Sequence, residues 1–406
     1  MRTNRVGVLT HVVALLLIQG HLMLGSDANP VDGALDISLG PEVRVMEHGI
    51  FPYMTRTREG TLIVAGTVLR PNAENYTGPN YPRDMPRTMR STGNVANWEL
   101  WEPTASQGDG PIISGCTLQL ASGPILIFDY YTRGIGNGKF EGQLWRSEDQ
   151  WKTVSGPEKF LVDLPQARQS LGDDRGDTIP TGILWHRTIL ELPNGDLLAG
   201  IYGVFEEDKA PSQYRASMQK FRALLLRSRD LGKSWSYVST IAAGPMGQEG
   251  YNEPVIVRLS QGRNEGRLIC LMRTGRQNPI YQAESDEEGT SWNQAQPMRW
   301  MYSEYGEWKD IVGVDPDLIE MSNGVLVCSF GHKPDFNDNG IFVVFSLDQG
   351  HSWTQVTRLA MDITGAYTTV REISPGKLFV VYDKRDGTYR SPSRRILGRT
   401  IEVKLN

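Results

Sequence analysis

The stretch SRDLGKSW, from Ser228 to Trp235, recurs along the chain and decides how the rest of it can fold. Each copy keeps some or all of a serine, an acid two residues on, a glycine four residues on and a tryptophan seven residues on. The other copies are SLDQGHSW from Ser346, SDEEGTSW from Ser285, SEDQWKTV from Ser147 and STGNVANW from Ser91. Five copies that lie 56 to 81 residues apart predict a repeat architecture such as a propeller.

The eight-residue pattern has the chemistry of a tight turn between two strands. Serine and aspartate side chains can hydrogen-bond the backbone of their own turn. Glycine permits a positive φ angle, and tryptophan supplies a large apolar face that can hold the turn against its neighbours. Apolar runs such as FRALLL before Ser228 and IFVVF before Ser346 precede the turns. Strand, turn and strand is therefore the predicted local structure.

A second, fainter repeat lies between these turns and consists of a strand, a turn containing glycine and a more apolar strand. The six turn glycines are Gly60, Gly123, Gly195, Gly262 or Gly266, Gly324 and Gly376. Together the two repeats predict an all-β, six-bladed β-propeller with four-stranded antiparallel blades. We expect a strand near residues 36–46 to complete the last blade, because closure removes the open edges of the sheets.

The composition and the first residues of the chain indicate which partners and which cellular compartment to expect. The net charge of −5 and the pI near 5.8 offer no basic surface for nucleic acid. A basic start followed by an apolar run predicts a signal peptide over residues 1–28, which leaves 29–406 as a single domain, secreted and without a membrane span. The three cysteines, Cys116, Cys270 and Cys328, lie in apolar runs and are predicted to be buried free thiols. No cofactor or metal is expected.

Counting from the turn glycines predicts where polar side chains converge. Residues nine before each glycine, or seven after it, should form rings at one mouth of the central channel. The inner count gives Phe51, Ser114, His186, Glu253, Asp315 and Tyr367, and the return count gives Thr67, Tyr130, Tyr202, Arg273, Gly331 and Asp383. Convergent polar and ionisable groups in a concavity favour a binding or catalytic site.

The eight-residue turns resemble the Asp-boxes of the sialidase superfamily, in which these turns are structural. The resemblance extends to the candidate site. YNEP followed by RLICLMR is similar to the segment that supplies a glutamate and a substrate-binding arginine, here Glu253 and Arg273. AYTTV and VVYD are similar to the nucleophile segment and a following acidic position, here Tyr367 and Asp383. The resemblance thus implies a glycan as the partner.

Two further positions follow from the same resemblance. Asp84 precedes the first Asp-box where sialidases carry the acid/base aspartate, and Arg70 resembles an additional arginine near the ligand. The segments of the other two sialidase arginines contain no arginine here, so we expect weak or no release of sialic acid. The resemblance implies a Tyr367 nucleophile activated by Glu253, because a phenol with an ordinary pKa of ~10 needs a base.

The ring supplies the other candidate substrate-binding residues, His186, Arg187, Asp315 and Asp317. A secreted sialidase-like exo-glycosidase that acts on a terminal, acidic sugar is the first hypothesis. A uronate-directed lyase or an arabinan-type glycosidase, with the work carried by His186, the tyrosines of the ring or the aspartate pair, is the second. The third is a propeller that binds glycans without catalysis. A fold alone does not decide among these alternatives.

Overall fold

A computed structural model describes residues 34–69, 84–101, 114–169, 182–214, 218–302, 307–332, 339–361, 365–385 and 393–406. The predicted signal peptide and Arg70 lie outside these residues. The strands are β1 (Leu35–Glu47), β2 (Gly49–Arg56), β3 (Thr61–Leu69), β4 (Asp84–Thr92), β5 (Glu99–Trp101), β6 (Ser114–Gln119), β7 (Ile125–Asp129), β8 (Arg133–Gly136), β9 (Lys139–Ser147), β10 (Ser155–Asp163), β11 (Leu184–Glu191), β12 (Leu197–Gly203), β13 (Arg222–Ser228), β14 (Ser234–Ala242), β15 (Asn252–Arg258), β16 (Leu268–Arg273), β17 (Tyr281–Ser285), β18 (Gln296–Pro297), β19 (Arg299–Tyr302), β20 (Glu307–Asp310), β21 (Val314–Glu320), β22 (Leu326–His332), β23 (Gly340–Ser346), β24 (Thr354–Met361), β25 (Thr368–Ser374), β26 (Lys377–Lys384) and β27 (Arg395–Leu405). None of the described segments forms a helix with the length and hydropathy needed to cross a bilayer.

Antiparallel units of four strands make up the fold, as the all-β prediction requires. Four separate sheets have the orders β2-β3-β4-β5, β15-β16-β17-β18, β21-β22-β23-β24 and β1-β27-β26-β25. Two more units, β6-β7-β9-β10 and β11-β12-β13-β14, join into one nine-stranded sheet through a parallel β10–β14 pairing, with β8 on β9. A separate hairpin, β19–β20, follows β18.

The first strands of these units form a closed cycle, since β2, β6, β11, β15, β21 and β25 each contact the next and β25 contacts β2. The apolar core lies between consecutive units rather than at a single centre. Its six main clusters join, for example, Ile63 with Trp145, Phe128 with Trp185, Leu225 with Cys270, Leu271 with Val344, Val327 with Val380, and Phe379 with Val64. Such an arrangement is the propeller-type fold that the repeats predict.

The N-terminal strand completes the last unit, as predicted. β1 pairs antiparallel with β27 from Leu35 opposite Leu405 to Glu47 opposite Arg395. Both ends of the described chain therefore lie in one sheet, and the outer edge of β27 is covered.

The Asp-boxes join the third and fourth strands of their units and have the predicted turn chemistry. In the first-quoted box, Ser228 Oγ accepts a hydrogen bond from Gly232 N at 2.9 Å, and Asp230 Oδ1 accepts one from Ser234 N at 2.8 Å. The φ angle of Gly232 is +86°, which explains the glycine. Trp235 is buried beside Phe128 and Trp185. The tryptophan thus attaches the box to the cluster between the second and third units.

Strand register places the boxes away from the candidate site. Leu197 pairs with Ser228, so the box lies at the same end as the turn glycine Gly195. At the other end Gly203 pairs with Arg222. We call the end with glycines and boxes the turn end and the opposite end the mouth.

The prediction for the cysteines is confirmed. Cys116, Cys270 and Cys328 are free thiols, and all three are buried. Burial raises the pKa of each thiol, which disfavours the reactive thiolate.

Candidate active site at the mouth of the central channel

Innermost strands carry β-bulges at the mouth, and these bulges direct charged side chains towards the channel axis. Antiparallel register breaks between Ile50 and Tyr53, Ser114 and Thr117, Trp185 and Ile189, Asn252 and Val255, and Val314 and Asp317. Phe51, Arg187, Glu253 and Asp315 have left-handed φ angles of +46° to +55° within these bulges. A bulge turns a side chain away from the ordinary strand pattern, and left-handed non-glycine residues are uncommon outside positions where the surroundings impose them.

The bulge of β11 moves the inner-ring position of that strand one residue away from the predicted one. The count from Gly195 predicts His186 at the ring position that Glu253 and Asp315 occupy in their strands. The bulge of β11 contains residues 186–188, one more than the bulges of β15 and β21, so the left-handed residue is Arg187. His186 lies beside it, and both side chains are buried.

Glu253 and Arg273 form a buried ion pair at the mouth. Arg273 Nη1 donates to Glu253 Oε1 at 2.8 Å, and Arg273 Nη2 donates to Glu249 Oε1 at 3.0 Å. Glu253 Oε2 accepts the backbone N–H of Asp315 at 3.1 Å. Burial raises the pKa of Glu253, and the positive charge of Arg273 opposes that shift. A carboxylate with a raised pKa is a stronger base.

Tyr367 lies next to this pair. Its ring meets Phe51 edge-on with centroids 4.4 Å apart, and its phenol lies within the electrostatic influence of both Glu253 and Arg273. Burial and the Glu253 carboxylate raise the pKa of the phenol, while Arg273 lowers it. The residue is half-buried, so the structure brings a partly exposed tyrosine, a carboxylate and a guanidinium together.

Asp383 supports Tyr367 through the backbone. Its Oδ1 accepts the N–H groups of Ala366 at 2.7 Å and Tyr367 at 3.0 Å, and its Oδ2 accepts that of Phe51 at 3.4 Å. Gly365 lies so close that an added Cβ would be 2.1 Å from Oδ1. Because the carboxylate is buried and occupied by these donors, Asp383 positions the segment before β25 instead of facing the mouth.

Asp315 connects residues from several units beneath the mouth. His186 Nε2 lies 3.1 Å from Oδ1, Thr368 N donates to Oδ2 at 2.8 Å, and Arg187 Nη2 also donates to Oδ2. The side chain of Asp315 has no exposed surface. It therefore supports the groups around it and has no direct access to a ligand.

Asp317, two residues further along β21, has a similar structural environment and bonds residues of the sixth unit. Its Oδ2 accepts hydrogen bonds from Thr369 Oγ1 and Val370 N, each at 2.8 Å, and from Arg371 Nη1 at 2.7 Å. Burial opposes ionisation, but Arg371 and Arg187 outweigh it and lower the pKa of Asp317. This carboxylate is thus buried, charged and paired.

Aromatic side chains line the mouth beside the charged groups. Tyr130 and Tyr202, which the return count identifies, hydrogen-bond to each other through their hydroxyls. The sequence count missed Tyr53, whose ring lies 5.0 Å from the guanidinium carbon of Arg187. It also missed Glu249, and the one signal for that residue is its place four positions before Glu253 in EGYNEP.

The remaining site prediction concerns Asp84. The backbone of this residue begins β4 opposite Leu69, the last residue of β3. Since β3 runs from the turn end to the mouth, Asp84 begins its strand at the mouth. Its role as acid/base stays a prediction.

His186, Glu253 and Asp315 each offer a ligand atom within 4.8 Å of the others, so we considered whether they fit a metal ion. Both carboxylates already accept guanidinium hydrogen bonds, Glu253 from Arg273 and Asp315 from Arg187. Two adjacent positive charges oppose a further cation. The donor set fits the ion pairs that it makes rather than a dication.

Solved structures of low sequence identity have the same fold. A protein of unknown function from Dyadobacter fermentans is 18% identical over 91% of this chain and 99% of its own, with a TM-score of 0.63. The Hadza microbial sialidase Hz136 is 16% identical over 88% of this chain and 66% of its own, with a TM-score of 0.57. An α-L-arabinanase from Penicillium chrysogenum, complexed with arabinobiose, is 14% identical over 90% and 98%, with a TM-score of 0.60.

The proteins that share this fold thus include glycosidases, among them a sialidase and an arabinanase. No curated protein matches the chain in sequence. A model of the BNR repeat-like domain matches residues 97–306, just over half of the chain. Together with the turns built by Ser228 and its counterparts, this match shows that the chain belongs to the BNR repeat-like domain family.

Proposed function

We propose that the protein is a glycoside hydrolase that removes a terminal sugar from a glycan, with Tyr367 as the nucleophile. The observation that carries this proposal is the half-buried Tyr367 beside the Glu253–Arg273 ion pair, whose two charges both act on its phenol. A phenol needs both a base to take its proton and a positive charge to stabilise the phenolate. Both groups are in place at the mouth.

The reaction follows the two-step course of glycosidases that use tyrosine. Tyr367 Oη attacks the anomeric carbon while its proton passes to Glu253. Asp84, at the mouth end of β4, protonates the leaving oxygen and then removes a proton from the water that hydrolyses the glycosyl–tyrosine bond. Glu253 returns its proton to Tyr367 Oη as that bond breaks. Asp383 and Asp315 act as positioning residues, because their carboxylates are occupied by backbone and side-chain donors.

A carboxylate nucleophile, the main alternative, has less support. Glu253 and Asp315 have oxygens within 4.8 Å of each other, near the ~5–5.5 Å separation of retaining carboxylate pairs. Asp315, however, has no exposed surface and makes three side-chain hydrogen bonds. It cannot approach a sugar without breaking them.

Substitution of Tyr367 tests the proposal once a substrate is found among aryl sialosides, uronides, arabinofuranosides and neutral hexosides. Tyr367→Phe removes one hydroxyl and should reduce kcat by at least ~10³-fold with little change in the unfolding midpoint. Tyr237→Phe is the matched control, because Tyr237 bonds Thr240 on the outer strand β14. A Tyr367→Phe protein that keeps wild-type turnover would refute the mechanism.

A glycan array tests the ligand separately. Absence of binding to every glycan on the array would refute the glycan as ligand, and binding without turnover would favour the non-catalytic alternative.

The pH dependence tests the base separately. Since burial raises the pKa of Glu253 and the ionised form is the base, kcat/KM should rise as pH increases through that raised pKa. Glu253→Gln should lower the rate and abolish this rise. A Glu253→Gln profile with the same acidic limb would assign the limb to another group.

We also propose that residues 1–28 are removed during export. Sequencing the N-terminus of the protein from the culture medium of its native host would test this, and a retained Met1 would contradict it.

A further inference from the structure

Glu249 is a further charged residue at the mouth. It belongs to the loop between β14 and β15, and its side chain is buried. Its Oε1 accepts a hydrogen bond from Arg273 Nη2 at 3.0 Å, and its Oε2 accepts one from Asn252 Nδ2 at 2.5 Å. Both carboxylate oxygens are thus used within the protein.

The loop holds Glu249 in one place. Its N–H donates to Thr274 O at 3.0 Å, and its carbonyl accepts from Phe221 N at 2.8 Å. Gly247 and Gly250 have left-handed φ angles, and a Cβ at either would lie 2.3 Å from a backbone oxygen of Thr274 or Phe221. Side chains other than hydrogen do not fit at these glycines, so the loop is anchored on both sides of Glu249.

Arg273 is consequently supplied with two carboxylates from the protein itself. Nη1 is held by Glu253 and Nη2 by Glu249. Two negative charges face one positive charge, so the local balance is already negative. A ligand carboxylate would have to displace Glu249 or add a third negative charge, and like charges at this distance repel.

We propose that Glu249 is a specificity-determining residue: its carboxylate occupies the face of Arg273 that would bind an acidic sugar, so the site takes an uncharged terminal sugar. This inference rests on the proposed function for the identity of the ligand as a sugar. It replaces the acidic sugar expected from the sequence, because that expectation assumed a guanidinium free to bind substrate.

Chemical rescue with acetate tests the occupancy of Arg273 without any sugar or reaction. Glu249→Ala leaves room for a small carboxylate, so acetate should raise the Tm of this variant by several degrees relative to chloride at equal ionic strength. Wild type should not respond. The double variant Glu249→Ala, Arg273→Met should lose the response, because it lacks the anion's partner.

A matched control removes a glutamate from another arginine. Glu288 Oε2 accepts from Arg227 Nη2 at 3.0 Å in the box of the fourth unit, at the turn end. Glu288→Ala should show no specific acetate effect. Equal stabilisation of wild type and Glu249→Ala by acetate, or a response that survives in the double variant, would overturn the proposal.

A second experiment measures specificity and uses a variant that keeps the side-chain volume. The methyl glycoside of N-acetylneuraminic acid and its methyl ester differ in one charge, and their affinities can be compared by calorimetry. Wild type should prefer the ester at least ~10-fold, and Glu249→Gln should lose that preference because it removes the repelling charge. Tighter binding of the acid by wild type, or an unchanged ratio in Glu249→Gln, would refute the role of Glu249.

The two experiments separate this inference from the proposed function. Absence of hydrolysis with every glycoside would refute the hydrolase and leave the acetate titration to decide the role of Glu249. If acetate fails to rescue while Tyr367→Phe abolishes turnover, the hydrolase stands and the inference falls.

Discussion

Asp315→Asn should destabilise the protein more than its small change in shape suggests. Asp315 is buried; its Oδ2 accepts hydrogen bonds from Arg187 Nη2 and from Thr368 N at 2.8 Å, and its Oδ1 lies 3.1 Å from His186 Nε2. An asparagine with its oxygen in place of Oδ2 keeps the bonds of Arg187 and Thr368, but its nitrogen then faces His186 Nε2 in place of a carboxylate oxygen. Arg187, itself buried, loses its closest negative charge at the same time.

The expected cost is about 3–5 kcal/mol, the usual range when one partner of a buried ion pair is removed. Guanidinium denaturation can measure it through the fluorescence of buried tryptophans such as Trp185 and Trp235, provided that the m-value is unchanged. In the double variant with Arg187→Met the unpaired charge is gone. The double variant should therefore be at least ~2 kcal/mol more stable than the sum of the single changes predicts.

Glu288→Gln is the control for this experiment. Its partner Arg227 lies in a half-exposed pair at the turn end, for which a cost below ~1 kcal/mol is expected. An Asp315→Asn protein within 1 kcal/mol of wild type, or strictly additive single changes, would refute the reasoning that Asp315 neutralises Arg187.

Two further predictions concern the scaffold. Asp230→Ala should reduce the free energy of unfolding by about 1–2 kcal/mol, because it removes hydrogen bonds from Ser234 N and Ser234 Oγ at about 1 kcal/mol each. Burial opposes ionisation of Asp230, but these bonds lower its pKa, so the stabilisation should be present above the pKa of the unfolded state and disappear as pH falls through the lowered pKa of the folded state. A loss of stability that is the same on both sides of this pH range would contradict the assignment. Cys116, Cys270 and Cys328 should react with a thiol reagent slowly in the native protein and all three should react after denaturation; rapid labelling of the native protein would show that the units open more easily than their buried clusters imply.

Features fixed within a few residues were predictable from the sequence. The Asp-box needs Ser228, Asp230 and Gly232 to bond and bend their own turn, and all three lie within five positions. Turn glycines such as Gly195 and Gly324 have the positive φ angles that their role requires. The closing strand β1 was predictable as well, because an open edge on β27 would be unfavourable.

Features that depend on three-dimensional contact were not predictable in detail. The position of Arg187 depends on one extra residue in the bulge of β11, which alters no hydrophobic pattern. Asp383 was predicted near the mouth by counting, but its orientation depends on three backbone N–H groups that donate to its carboxylate, those of Phe51, Ala366 and Tyr367. Glu249 lies in a loop, where strand register gives no guidance.

The charges around the axis link the units at the place where the bulges are strained. Asp315 of the fifth unit bonds His186 and Arg187 of the third and Thr368 of the sixth, and its own N–H bonds Glu253 of the fourth. Left-handed residues persist only where surrounding contacts impose them, and these bonds are such contacts. Tyr367 therefore stands on a support assembled from four units, which suits a site that needs fixed geometry. Glu249, by contrast, enters from a loop and bonds Arg273 and Asn252 instead of Asp315. Changing it should alter which ligands the site accepts while the positions of Glu253 and Tyr367 remain as they are.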